Sequence, residues 1–174
     1  MTSRNRWIRS GLIAAAGLLF AWSYATAGDS KEKKFHARLE GEQETPAIST
    51  AATGTFDAKL NSAGDQLSFE LEYSGLEGGN TLFAHVHIGQ FDVAGGVMFF
   101  LCGGGGKPAC PNGSATVTGT VTAADIIGPT GQGISPGEFA EALRAMRDGI
   151  AYANVHTVTY PGGEIRGQIN HRGR

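Results

Sequence analysis

Strict alternation of apolar and polar residues constrains the fold of this chain more than any other feature of its sequence. The alternation runs through residues 35–40, 55–60 and 67–73, and Phe35 and Leu39 belong to its first apolar row. A period of two buries one row of side chains and leaves the other row in water, as in antiparallel sheets. The pattern therefore predicts a mainly β fold.

Five further segments are short, rich in β-branched or aromatic residues and bounded by Gly or Pro, which is typical of strands. These segments are Thr81–Ile88, Gly96–Leu101, Ser114–Val121, Ala151–Thr159 and Glu164–Ile169. Residues 61–65 predict a hairpin turn between two of the alternating runs. About eight short strands with one helix predict a Greek-key antiparallel β-sandwich.

One segment, residues 136–148, breaks the period of two and predicts a short amphipathic helix. Its apolar residues recur at helical spacing. They are Phe139, Ala142, Leu143 and Met146. Ser135 and Glu138 predict a capping box at the start of the helix, and Gly149 predicts its end.

The first 27 residues differ in composition from the rest of the chain. Residues 1–10 contain three arginines and no acidic residue, residues 11–22 are apolar, and Ala25 and Ala27 are small residues at the positions that a signal peptidase recognises. This order predicts a Sec-type signal peptide, residues 1–27, cleaved after Ala27. We therefore expect a secreted or periplasmic protein with a loose N-terminus at residues 28–34.

The alternative for this segment is a membrane anchor. An apolar run of 12 residues is short compared with the roughly 20 residues that cross a bilayer as a helix. We therefore expect no membrane span after signal cleavage.

The mature chain that this cleavage predicts has 147 residues, with 11 Lys and Arg against 16 Asp and Glu. Its length suits one domain, which we place at residues 35–170. A net charge of −5 argues against a nucleic-acid-binding protein, since such proteins need a basic surface.

The chain contains two cysteines, Cys102 and Cys110, which bracket a run of four glycines. In an exported protein a disulfide between them is the expected state, although a thiolate metal site is a rival interpretation. Asn112 begins an Asn-Gly-Ser sequon, which is also a turn signal.

Three histidines form a candidate metal site. His85 and His87 lie two residues apart on one predicted strand, so their side chains share a face and lie roughly 6.6–6.8 Å apart along it. If this strand pairs with the strand of His156, three imidazoles meet, and neutral imidazole suits copper or zinc. The alternative is that these histidines only order a polar face by hydrogen bonding to Glu164, Arg166 or the backbone.

Several short motifs together resemble a known family. They are Leu39-x-Gly41-x-x-Glu44-x-Pro46, Ala84-His85-Val86-His87-x-Gly89, Tyr152-x-Asn154-Val155-His156-Thr157 and Pro161–Ile169. With them, the chain resembles the CHRD domain, named from chordin and also found in exported microbial proteins, over about residues 35–169. The resemblance implies an extracellular immunoglobulin-like β domain without established catalysis.

We therefore expect a non-catalytic binding or structural module with no catalytic residues. Its partner would be an extracellular or periplasmic protein or a surface ligand. The enzyme alternative is a copper/zinc superoxide dismutase-like protein, because the His-x-His strand and the Gly-rich, Arg-containing last strand resemble that family. The chain departs from it, since the Asp and the additional His of a two-metal site have no clear counterparts.

Overall fold

A computed structural model describes residues 33–169, which form eight strands, one α-helix and three short 3-10 helices. The strands are β1 (Lys34–Glu40), β2 (Thr53–Leu60), β3 (Leu67–Ser74), β4 (Thr81–Ile88), β5 (Val97–Cys102), β6 (Ala115–Val121), β7 (Ala151–Thr157) and β8 (Ile165–Gln168). The helix α1 is Phe139–Arg147, and the 3-10 helices are Gly41–Gln43, Ala123–Asp125 and Thr130–Gln132. The predicted signal peptide lies outside the described residues. Lys34, predicted as part of the loose N-terminus, already belongs to β1.

All strand pairs are antiparallel, and the strands form one sheet in the order β5-β4-β7-β8-β1-β2-β3-β6. The end strands β5 and β6 also contact each other, so the sheet is nearly closed. The prediction of a mainly β antiparallel fold is confirmed. The two-sheet Greek-key sandwich is not confirmed, because the hydrogen-bonded ladder passes through all eight described strands.

The two halves of the sheet differ in how they are covered. In β1, β2 and β3 buried apolar residues alternate with exposed or partly exposed ones, as the period of two predicts. Every residue of β7 and β8 is buried, so both faces of this half are covered. On β7 one face is apolar, and the other carries Tyr152, Asn154 and His156. Polar side chains buried on this face of β7 form a candidate functional site.

The helix α1 begins three residues later than predicted, because Ser135 is not its N-cap. Glu138 occupies that position, and its side chain accepts a hydrogen bond from the Ser135 backbone N–H at 2.6 Å. Gly137 has a φ of +88°, a left-handed conformation that cannot belong to an α-helix. At the other end Gly149, with a φ of +69°, ends the helix as predicted. Among residues 33–169, no helix is long and apolar enough to cross a membrane.

Candidate metal centre

Strands β4 and β7 bring together the three histidines that the sequence singles out. In the β4–β7 register Phe83 lies opposite His156 and His85 lies opposite Asn154, so His156 is a diagonal neighbour of His85. The ring centroid of His85 is 4.4 Å from that of His87 and 4.4 Å from that of His156. All three residues are at most 8% exposed. The predicted convergence of imidazoles is therefore present.

The spacing of the ring nitrogens is close to that of a metal site. One nitrogen from each ring lies within 4.8 Å of one from each other ring. Two nitrogens bound to one ion at about 2.0–2.1 Å are at most about 4.2 Å apart. Three nitrogens that surround one ion in a plane are about 3.6 Å apart, so a pair at the 4.8 Å limit must close by about 1.2 Å to bind it.

Two of the imidazoles are held by backbone carbonyls. The Nδ1 of His87 lies 2.8 Å from the oxygen of Gly95, and the Nδ1 of His156 lies 3.0 Å from the oxygen of Pro161. A carbonyl only accepts, so each Nδ1 carries the proton and each Nε2 keeps a free lone pair. Metal-ligating histidines are commonly oriented in this way.

Gly95 brings the carbonyl to His87 through a close approach of two backbones. A Cβ atom at Gly95 would collide with the carbonyl oxygen of Ile88. The backbone N–H of Gly95 also donates to the Tyr152 hydroxyl at 3.1 Å. Any larger residue would therefore displace the loop that positions His87.

Three of the four remaining ring nitrogens are buried and have no hydrogen-bond partner. They are Nδ1 of His85 and Nε2 of His87 and His156. An unpaired buried polar atom costs about 1–3 kcal/mol, so such atoms usually indicate an absent partner. Three such nitrogens in one cluster indicate an absent partner that binds several imidazoles, such as a metal ion.

The cluster favours neutral imidazoles. Burial, followed by the nearby His87 and His156, lowers the pKa of His85 from 6.5 to about 2. Burial also lowers the pKa of His87 and of His156 to about 4, although their bonds to carbonyls act in the opposite direction. At neutral pH the three rings are therefore unprotonated, which is the form that binds metal.

Aromatic rings border the histidines. The Phe83 ring centroid lies 4.9 Å from that of His156 and 5.4 Å from that of His85. Phe100 meets His85 edge-on at 5.1 Å, and Tyr152 stacks parallel on His87 at 4.6 Å. The surroundings of the cluster are thus largely apolar.

A charged network that sequence reasoning did not identify lies beside the cluster. The Arg166 guanidinium sits 3.6 Å above the Tyr152 ring, and Asn154 donates to Glu44 at 3.0 Å. Burial raises the pKa of Glu44 to about 7, while Arg166 and Asn154 act against this rise. In the sequence, Glu44 was marked only by its place in the Leu39–Pro46 motif.

Glu164 and Arg166, the alternative side-chain partners of the histidines, are bonded elsewhere. Glu164 accepts four hydrogen bonds, and Arg166 donates to the carbonyl oxygen of Val93 at 3.3 Å. The donors to Glu164 are the hydroxyls of Thr50 and Thr157 and the backbone N–H groups of Glu77 and Gly78. The backbone part of that alternative is present, but it occupies only one nitrogen of His87 and one of His156.

The remaining candidates lie away from the cluster. Cys102 and Cys110 form the predicted disulfide. His36 is exposed and lies 3.0 Å from an oxygen of Asp57. Asn112, in the sequon, accepts a hydrogen bond from the Thr81 backbone at 2.9 Å.

The fold and the cluster together define an antiparallel β domain with a buried three-histidine group. The model of the CHRD domain family matches residues 35–169, and the chain belongs to this family. No curated protein and no solved structure matches the chain.

Nothing in the described part of the chain supports the copper/zinc superoxide dismutase alternative. Residues 33–169 contain one group of three or more potential ligands with metal-site spacing, formed by His85, His87 and His156. A bridged two-metal site would need a second set of ligands beside the first.

Proposed function

We propose that this protein is an exported, non-catalytic binding module that holds one copper or zinc ion through His85, His87 and His156. The observation that carries the proposal is the convergence of three buried histidines, one ring nitrogen of each lying within 4.8 Å of one of each other, in a cluster that leaves three buried ring nitrogens without a partner. Their neutral state and the carbonyl anchors on His87 and His156 support the same function, because a metal ligand needs a free, oriented lone pair.

Membership of the CHRD family supports a binding role over catalysis. The partner would be an extracellular or periplasmic protein or a surface ligand. The ion would fix the relative positions of β4 and β7, because its ligands come from both strands. By holding β4 and β7 together, the ion would also make the binding surface formed by these two strands more rigid.

The metal part of the proposal is tested by metal content after purification without chelator. We expect about one copper or zinc ion per wild-type chain and much less in His87→Ala. His36→Ala is the matched control, because His36 is an exposed histidine outside the cluster. Equal metal content in His87→Ala and the wild type would remove His87 as a ligand.

Export is proposed from the sequence of residues 1–27, and the disulfide supports it because disulfides persist mainly in oxidising compartments. N-terminal sequencing of the protein recovered from the periplasm or medium tests this part. We expect Gly28 as the first residue. A recovered chain that still begins at Met1 would contradict cleavage after Ala27.

A further inference from the structure

We infer that the ion is monovalent copper, Cu(I), held in preference to Cu(II) and Zn(II). This inference rests on the proposed function and adds to it the charge and the coordination number of the ion. It is carried by the charge balance, the donor set and the ring surroundings of the cluster.

The charge balance around the cluster disfavours a divalent ion. The three imidazoles are neutral donors, and the two Nδ1 protons of His87 and His156 point at carbonyls rather than carboxylates. The desolvation cost of an ion rises with the square of its charge, so a divalent ion costs about four times as much as a monovalent one. Without a carboxylate ligand, only neutral donors offset this cost within the described site.

The charged side chains beside the cluster do not change this balance. Arg166 stacks on Tyr152, which itself stacks on His87, so a positive charge lies next to the site. Glu44 and Asp92 interact with Arg166 and offset part of its charge. The carboxylate of Glu164 is occupied by four hydrogen-bond donors.

The number of donors also favours Cu(I). Zn(II) takes four ligands in a tetrahedron, and Cu(II) prefers a tetragonal set of nitrogen and oxygen donors. Residues 33–169 bring three donors together, and the rings of Phe83 and Phe100 border them. A fourth ligand of Zn(II) would have to be a water, for which the buried, aromatic-bordered cluster offers no polar partner among these rings, whereas Cu(I) is stable with two or three ligands.

The test compares three ions on the wild-type protein. Cu(I) affinity is measured without oxygen, in ascorbate, by competition with a chromophoric Cu(I) chelator. Cu(II) and Zn(II) affinities are measured by competition with their own chelators. We expect Cu(I) to bind at least about tenfold more tightly than either divalent ion. A divalent ion that binds within tenfold of Cu(I), or more tightly, would overturn the inference while leaving the proposed function intact.

The same experiment separates failure of the inference from failure of the proposed function. Absence of binding by all three ions, or unchanged binding in His87→Ala, would overturn both. The Arg166→Gln variant tests the charge argument separately. Loss of the positive charge beside the cluster should raise the affinity for the divalent ions relative to that for Cu(I). If the ratio of Cu(I) affinity to divalent-ion affinity is the same in Arg166→Gln as in the wild type, the charge argument is contradicted. If Arg166→Gln does not fold, the ratio measured on the wild type alone tests the inference.

Discussion

The Nδ1 atom of His87 lies 2.8 Å from the carbonyl oxygen of Gly95, so Nδ1 carries the proton and the Nε2 of His87 keeps its lone pair. This contact joins a strand to the loop that covers it. The loop also accepts hydrogen bonds from Arg166 and donates one to Tyr152. The covering loop and His87 therefore form one packed unit.

Metal binding is expected to stabilise the fold. An ion present at 100 times its dissociation constant adds about 2.7 kcal/mol, which raises the melting temperature of a domain of this size by about 10 °C. Thermal unfolding with copper or zinc and then with chelator measures the shift. His36→Ala should keep it and His156→Ala should lose it. A shift of equal size in His156→Ala would place the binding elsewhere.

Without metal, the stability of the protein should fall as the pH is lowered from 7 to 5. The histidines of the cluster bind protons with a pKa of 6.5 when unfolded but of about 2 to 4 when folded. Below pH 6.5 the unfolded state therefore binds more protons than the folded state, and the free energy of unfolding decreases. We expect a loss of about 2–4 kcal/mol in chelator-treated protein, measured by urea unfolding.

Glu44 should oppose this effect. Its folded pKa of about 7 exceeds its ordinary 4.5, so its contribution to stability is present below pH 4.5 and is lost as the pH rises through 7. Glu44→Gln removes that opposing contribution, and the loss of stability on acidification should become steeper. If the free energy of unfolding of Glu44→Gln falls less steeply than that of the wild type on acidification, or equally steeply, the raised pKa of Glu44 is contradicted.

Glu164→Gln should destabilise the protein by about 2–3 kcal/mol. Glu164 is fully buried, and each of its carboxylate oxygens accepts one hydroxyl and one backbone N–H. An amide nitrogen in place of either oxygen faces a backbone N–H that cannot turn away. Urea unfolding measures the loss, and the exposed Glu70→Gln should stay within about 0.5 kcal/mol of the wild type. Equal stabilities of the two variants would contradict this role of the Glu164 hydrogen bonds.

The disulfide should contribute about 2–3 kcal/mol, because it closes a short loop that four glycines leave unconstrained. Replacing both Cys102 and Cys110 by Ser should lower the unfolding free energy by this amount. Alkylation of the native protein without reductant should leave both cysteines unmodified. Modification of either one in exported protein would show that the bond is incomplete.

The period of two was enough to predict β1, β2 and β3 and to place His85 and His87 on one face of β4. It also led to His156, because β7 carries the same alternation. The alternation is a local property, and hydrophobic burial enforces it on each strand separately. This is why element type and strand faces were predictable residue by residue.

The sheet order, the helix start and the polar surroundings of the site were not predictable in the same way. Ser135 and Glu138 have the residue types of a capping box, but the left-handed Gly137 between them forms a turn instead. The anchors of the histidines are carbonyls of Gly95 and Pro161, and every residue type has a carbonyl. Only the folded arrangement of the covering loops determines which carbonyl reaches which ring.

X-ray absorption at the metal edge of the loaded wild-type protein tests the central claim most directly. The account predicts one ion with three imidazole nitrogens at about 2 Å, and one fewer imidazole in His85→Ala. A first shell of oxygen or sulfur without imidazole scattering, or a spectrum unchanged in His85→Ala, would contradict the three-histidine centre.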